Sequence, residues 1–354
     1  MVTKRKSAPP ASLEKSPVRR VTLRDIAEVT GVTAMTVSRA LRNQSRISAP
    51  MREKIQAKAL EMGYYPDPAL TALVHYRHSR LETPVRAALA WLNFWPDPLK
   101  WRQYREFVIC WEGASAAAKR LGFHLEEFII GADMTPKRME QILHTRNVRG
   151  LILPPGECPE GWVKEFSWDQ FSVVSIGRGP LALHTITSDQ MSNTMLAVRK
   201  MQELGYQRIG YAGESWVGRT YCAGFLWSQA LTIKKGQQVP PLLATYHDME
   251  QFKAKMAAWI SKHKPDAILT DNPQVPEMLA SMRIRVPQDI GLAALTTLDC
   301  PIDAGIFQNP IEVGRVAVLV LHSLINDNDK GVPAINRQIL IEGTWQDGSS
   351  LPKR

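Results

Sequence analysis

Residues 31–48, GVTAMTVSRALRNQSRIS, hold Thr, Ser and Arg side chains at close spacing and no acid. Hydroxyl and guanidinium groups without a carboxylate or His beside them suit hydrogen bonding to phosphates and base edges better than bond-making chemistry. Arg39 has the planar fork that meets guanine bidentately, whereas Ala34 and Met35 offer only apolar contact, most naturally to thymine methyl groups. Elsewhere the signatures of catalysis are missing. No GxGxxG follows a strand, no GxxxxGK[ST] loop occurs and no HExxH is present. Gly213-Glu214-Ser215-Trp216-Val217-Gly218 approaches a nucleophile elbow, but its second glycine falls one residue too late. The eight His lack metal-ligand spacing, and the four Cys (110, 158, 222 and 300) form no CxxC pair. The sequence therefore predicts no metal, no cofactor and no enzyme. The cysteines read as packing residues in a reducing cytoplasm.

The elements that position the polar helix are short. Thr22 with Asp25 reads as a capping box, and Leu23, Ile26 and Ala27 give a first helix one apolar face. Gly31 ends it. Thr33 caps a second helix whose Val37, Ala40 and Leu41 point inward, leaving Ala34, Met35, Thr36 and Arg39 outside. Ser48 caps a third helix, with Ile55, Ala59 and Met62 inward, that stops at Gly63. Three short helices with Gly in the first turn form a helix-turn-helix by pattern.

From about residue 85 the pattern changes. Apolar runs at 87–94, 149–155, 171–177, 207–213, 266–271 and 290–295 are bounded by Pro, Gly or polar residues, as buried parallel strands are. Amphipathic stretches at 105–122, 188–205 and 309–325 alternate with them, which predicts two doubly wound α/β subdomains flanking a cleft. Ligands bind beyond the carboxyl ends of such strands. Those ends supply Trp95, Asp97, Arg178, Asp189, Trp216, Arg219, Tyr221, Asp271, Asn272 and Thr296, a mixture of aromatic faces and hydrogen-bonding groups that suits a sugar or similar polyol.

With 354 residues, a net charge of +10 and a pI near 9.5, the chain fits two or three domains and a polyanionic partner. Its first eighty residues are the richest in Lys and Arg. Residues 1–20 read as a disordered basic tail with no apolar signal segment, and no apolar run is long enough to span a membrane.

Residues 22–70, TLRDIAEVTGVTAMTVSRALRNQSRISAPMREKIQAKALEMGYYPDPAL, closely resemble the N-terminal segment of LacI/GalR-type transcriptional regulators. Residues 184–213, Gly224-Phe225 and residues 265–274 look, more loosely, like the periplasmic-binding-protein-like effector domain of that family. The resemblance implies a helix-turn-helix domain at 21–66, a hinge helix and linker at 67–84, and an effector-binding and dimerisation domain at 85–354. The last divides into 85–187 plus 309–326 and 188–308 plus 327–354. It also implies a cytoplasmic, nucleoid-associated homodimer on a pseudo-palindromic operator, with the helix from Thr33 in the major groove. Ala34, Met35 and Arg39 then match the base-reading positions. Thr22, Thr33, Thr36, Ser38, Asn43 and Ser48 match phosphate-positioning groups or caps, and Leu73 matches a leucine wedged into the minor groove. Three departures stand out. Leu70-Thr71 replaces a common Ala-Arg, Tyr221 stands where sugar-responsive relatives carry Arg, and Ala294-Leu295-Thr296 replaces a Gly-Tyr-Asp type sequence. A repressor modulated by a sugar-like or related polar metabolite is the expected function. The alternatives are a DNA-bending architectural protein without an effector and an effector-dependent activator. A periplasmic solute-binding protein would need a signal peptide and no DNA-reading head.

Overall fold

The computed structural model describes residues 21–41, 47–64, 87–156, 158–214, 218–244 and 249–354. The expected tail at 1–20, the hinge segment at 67–84, Asn43, Leu73 and Trp216 lie outside them. The chain divides into two units, 1–77 and 78–354.

In the first unit the apolar spacing folds as three helices, α1 (Leu23–Thr30), α2 (Ala34–Leu41) and α3 (Ala49–Glu61). Thr22 closes a reciprocal capping box with Asp25: its hydroxyl accepts the Asp25 N–H at 3.4 Å, and its own N–H donates to the Asp25 carboxylate at 2.7 Å. Gly31 ends α1 in the left-handed region, φ 72°, where a Cβ would be strained. Ile26, Val37, Ala40 and Ile55 are fully buried and hold the three helices together. Two expectations need correction. Ala34 is half-buried against this core, because the first residue of α2 still faces α1. Ser48 occupies the N-cap position of α3 but its side chain makes no cap hydrogen bond. Pro50, whose fixed φ and missing N–H suit a first helical turn, starts that helix instead.

The second unit holds two six-stranded sheets. The first has the order β11-β5-β4-β3-β1-β2, from β1 (Ala87–Asn93), β2 (Phe123–Ile129), β3 (Val148–Leu153), β4 (Ser172–Ile176), β5 (His184–Ser188) and β11 (Gln338–Ile341). The second has the order β12-β10-β9-β8-β6-β7, from β6 (Ile209–Glu214), β7 (Leu242–Ala244), β8 (Ala267–Thr270), β9 (Gly291–Ala294), β10 (Gly305–Phe307) and β12 (Thr344–Gln346). All neighbours run parallel except β12 against β10. Continuous apolar strands such as 87–93 are buried on both faces because helices cover both sides.

The helices in chain order are α4 (Arg105–Arg120), α5 (Pro136–Thr145), α6 (Glu160–Glu165), α7 (Gln190–Glu203), α8 (Arg219–Thr232), α9 (Met249–His263), α10 (Val275–Ser281) and α11 (Pro310–Asp327). The chain crosses between sheets after β5, before α11 and between β11 and β12. Residues 327–341 therefore belong with the first sheet, a correction to the expected division, since β11 pairs with β5 along Gln338–Ile341. α4 and α11 cross with backbones in contact. A Cβ on Gly314 would overlap the Cys110 carbonyl, and one on Gly113 would overlap that of Ile311.

Candidate nucleic-acid interface and ligand cleft

The capping of α2 uses the groups that sequence pattern singled out. Thr33 accepts the Thr36 N–H at 3.1 Å, and the two hydroxyls lie 2.9 Å apart. The Thr22 hydroxyl is similarly engaged with Asp25. These hydroxyls act first as caps, whereas that of Ser48, on an exposed residue, caps nothing. From α3, the Gln56 amide donates to the Ala40 carbonyl at 3.0 Å and fixes the carboxyl end of α2. With Val37 and Ala40 turned inward, α2 leaves Met35 59% exposed, a large apolar side chain standing in water. Thr36, Ser38 and Arg39 are half-buried on the same short helix. Arg39 forms no ion pair among the described residues.

In the second unit a cleft of about 980 Å³ lies between the sheets. Of the expected ligand residues, Arg178, Asp189, Arg219, Tyr221 and Thr296 line it. Asp271 lines an adjoining pocket of about 170 Å³ that shares Glu106, Phe107 and Thr296 with the cleft. Three residues stand elsewhere. The Trp95 indole donates to the Pro155 carbonyl at 3.3 Å and packs near Tyr104 and Phe107, lining a small first-lobe pocket. Asp97 is exposed and its carboxylate accepts the Leu99 N–H at 3.0 Å, which closes a turn. Asn272 is 2% exposed and lines neither cavity; its oxygen accepts the Gln274 N–H at 2.9 Å, and its Nδ2 has no partner among the described residues.

Sequence reasoning missed Glu106, Thr220 and Gln308. Glu106 sits in the first turn of α4, the helix that follows β1 after a connection of eleven residues, so a strand-end rule extended to the start of the next helix would have found it. Gln308 spends its amide on the Tyr221 hydroxyl at 2.6 Å and the Leu295 carbonyl at 2.7 Å. No local pattern marks it. Thr220 bonds to Gln190 and ties the start of α8 to that of α7.

The two lobes also meet through charge. Asp299, in the loop after β9 and held at φ 57°, accepts the Arg105 and Glu106 N–H groups of α4 at 2.9 and 3.1 Å. Tyr104, at the N-cap position, makes no side-chain cap, so the second lobe caps a helix of the first. Burial, and next the Asp299 charge, push the Glu106 carboxyl up to about 7. Burial likewise pushes Asp271 up to about 6, against the Glu214 N–H that it accepts at 3.3 Å. The Tyr221 phenol is raised, chiefly by burial.

The family described as "Bacterial regulatory proteins, lacI family" matches residues 22–67, which span α1 to α3. Among curated proteins, the HTH-type transcriptional regulator MalR of Streptococcus pneumoniae serotype 4 is 22% identical over 335 residues, covering 90% of this chain and 97% of its own length. The chain belongs to the LacI/GalR family. Over a shorter stretch the identity is higher: the HTH-type transcriptional regulator GntR of Escherichia coli (strain K12) is 49% identical to this LacI-family chain over 51 residues, 14% of this chain and 15% of that one. Among solved structures, a transcriptional regulator CelR-cellobiose complex aligns at TM-score 0.56 and 16% identity, over 94% of this chain and all of that one. A lac repressor dimer bound to operator and the anti-inducer ONPF aligns at TM-score 0.51 and 18% identity, over 94% and 100%. These likenesses carry the fold, a helical head with a periplasmic-binding-protein-like α/β domain. The LacI-family chain is accordingly a DNA-binding transcriptional regulator, and its relatives are regulators rather than enzymes. Among the described residues no helix is long and apolar enough to cross a membrane.

Proposed function

We propose that this regulator binds a two-fold-symmetric operator as a homodimer, inside the cytoplasm, and that a small polar metabolite in the cleft changes its operator affinity. The observation that carries this reading is the pairing of a compact helix-turn-helix head with a two-lobed domain whose cleft draws lining groups from both lobes. A ligand touching both lobes favours one lobe arrangement, and only such differential affinity shifts an equilibrium. Repression is the expected outcome at a promoter-overlapping site. In the head, Arg39 reads a guanine, Ala34 and Met35 contact thymine methyls, and Thr22, Thr33, Thr36, Ser38, Asn43 and Ser48 set register on phosphates. Leu73 acts as the minor-groove wedge.

Footprinting with purified protein is the test. A symmetric site of about two DNA turns is protected, and scrambled duplex binds at least about a thousandfold more weakly. Equal affinity for scrambled duplex would instead favour the architectural DNA-bending alternative. A thermal-shift screen of sugars, nucleosides and sugar acids, followed by operator titration with each hit, identifies the effector and the sign of the coupling.

A further inference from the structure

The pocket of about 170 Å³ that adjoins the cleft is one-sided in charge. Glu106, Asp271 and Asp299 line it, and among the described residues no Lys, Arg or His does. Two of these carboxylates already have work. Asp271 accepts the Glu214 N–H at 3.3 Å, and Asp299 accepts the Arg105 and Glu106 N–H groups at the start of α4. The Glu106 carboxyl has no hydrogen-bond or ion-pair partner among the described residues. It lines both the pocket and the cleft, so a molecule in either reaches it.

Burial and the Asp299 charge both push this carboxyl up, to about 7, and no cation among the described residues opposes them. A neutral hydroxyl offers the protonated acid a hydrogen bond but leaves three acids in one small cavity without a counter-charge. A cation gives ionised Glu106 the partner it lacks, and a charge-assisted hydrogen bond is stronger than a neutral one. The walls suit the same group. Tyr104 and Phe107 line the pocket with ring centroids 5.5 Å apart, and aromatic faces attract an ammonium group that has shed its water.

We infer that the ligand of this cleft carries a basic nitrogen, a protonated amine, that docks against the Glu106 carboxylate beside the rings of Tyr104 and Phe107. This inference rests on the proposed ligand-binding role of the cleft and names the chemistry that the ligand presents there. An amine at this place lies at the seam where Asp299 of the second lobe caps α4 of the first, so its charge acts on the contact between lobes. An amino sugar and a linear amine both present such a nitrogen, and the measurement separates them.

The test is calorimetry on the full chain near neutral pH with matched compounds. For glucose, galactose and mannose these are the neutral hexose, the hexosamine and its N-acetyl derivative, and the linear pair is putrescine and its diol analogue. At least one amine binds about tenfold or more tightly than its uncharged counterparts, as a charge-assisted hydrogen bond predicts. A hexosamine result names an amino sugar, and a putrescine result a linear amine. Titration in buffers of different ionisation enthalpy then shows protons released on binding, because the cation draws Glu106 into its ionised form. Asp299, Tyr221 and Cys110 also face Glu106, and Asp271, raised to about 6, shares the pocket. Glu106→Gln removes most of the release and lowers amine affinity about tenfold to a hundredfold, with the uncharged members unchanged. Glu106→Asp keeps part of the preference, and Asp299→Asn, which removes a charge from the pocket, weakens the amine by a smaller factor. Equal affinity for charged and uncharged members, or an amine preference that survives Glu106→Gln, overturns the inference while leaving the cleft a ligand site. Binding by none of these compounds also overturns it, and the broader screen of sugars, nucleosides and sugar acids then decides the ligand role of the cleft by itself.

Discussion

The head and the cleft solve the placing of polar side chains in opposite ways. In the head, one eight-residue helix carries Met35, Thr36 and Arg39, and its inward residues Val37 and Ala40 lock it onto α1 and α3. In the cleft, Glu106, Arg178, Tyr221, Thr296 and Gln308 arrive from separate loops and helix starts of two lobes. A continuous helix fixes the spacing of its side chains by its own geometry, so damage there acts through one small core. An assembled cleft depends on how two lobes are held, so distant substitutions reach it.

The sharpest way to break the contrast is at the α4–α11 crossing. Gly314→Val places side-chain atoms against the Cys110 carbonyl in the first lobe, where backbone sits against backbone and cannot yield. The expected outcome is loss of cooperative unfolding of the second unit and of ligand binding, read by calorimetry, with the 1–77 unit still helical. The converse is Ile55→Ala, which removes a fully buried side chain from the small core of the head. A cost of about 2–5 kcal/mol is expected there. Operator binding then fails while ligand binding keeps its wild-type affinity. If Ile55→Ala also weakened the ligand, the two regions would not be independently stable.

A smaller effect sharpens what the helix does. Arg39→Ala should cost about 1–3 kcal/mol of operator affinity and relax preference at one base pair. A uniform loss over all operator variants would reassign Arg39 to a phosphate.

The same contrast explains what the sequence could reveal. The capping box at Thr22, the glycine stop at Gly31 and the inward set Ile26, Val37, Ala40 and Ile55 are local, so spacing alone disclosed the head. The long apolar strands and α4, α7 and α11 were equally visible, since each buries a continuous face. The strand β2, FHLEEFI, lies at a sheet edge with only Leu125 and Phe128 buried, and the three- and four-residue strands β7, β10, β11 and β12 are too short to show a period. Cleft residues were partly legible through strand ends, which gave Arg178, Asp189, Arg219, Tyr221 and Thr296. The rule placed Asp97 and Asn272 wrongly because the first closes a turn and the second a buried loop. Gln308 and Asp299 work through partners 87 and 194 residues away, which no periodicity encodes.

The smallest expected effect concerns the junction itself. Glu106 is faced by Asp299 from the second lobe, by Tyr221 of α8 and by Cys110 of its own helix. Its carboxyl is raised from 4.5 to about 7, so the folded protein holds a proton that the unfolded chain releases. The stability gained is full below about 4.5 and is lost as pH rises through 7, because the ionised form is the one that burial penalises. Asp271, raised to about 6 by burial, adds a contribution of the same sign over a lower window. Glu106→Gln should flatten the melting temperature of the second unit between pH 5 and 8 relative to wild type. Asp299→Asn tolerates the left-handed backbone that Asp299 adopts and leaves one acceptor for α4, but removes the charge. Since burial is the larger cause and Asp299 the lesser, this substitution should shift the Glu106 transition only partly downward. A transition returned fully to the ordinary carboxylate range would make Asp299, not burial, the dominant cause, and the interlobe contact rather than the packing of α4 would then set the pH response.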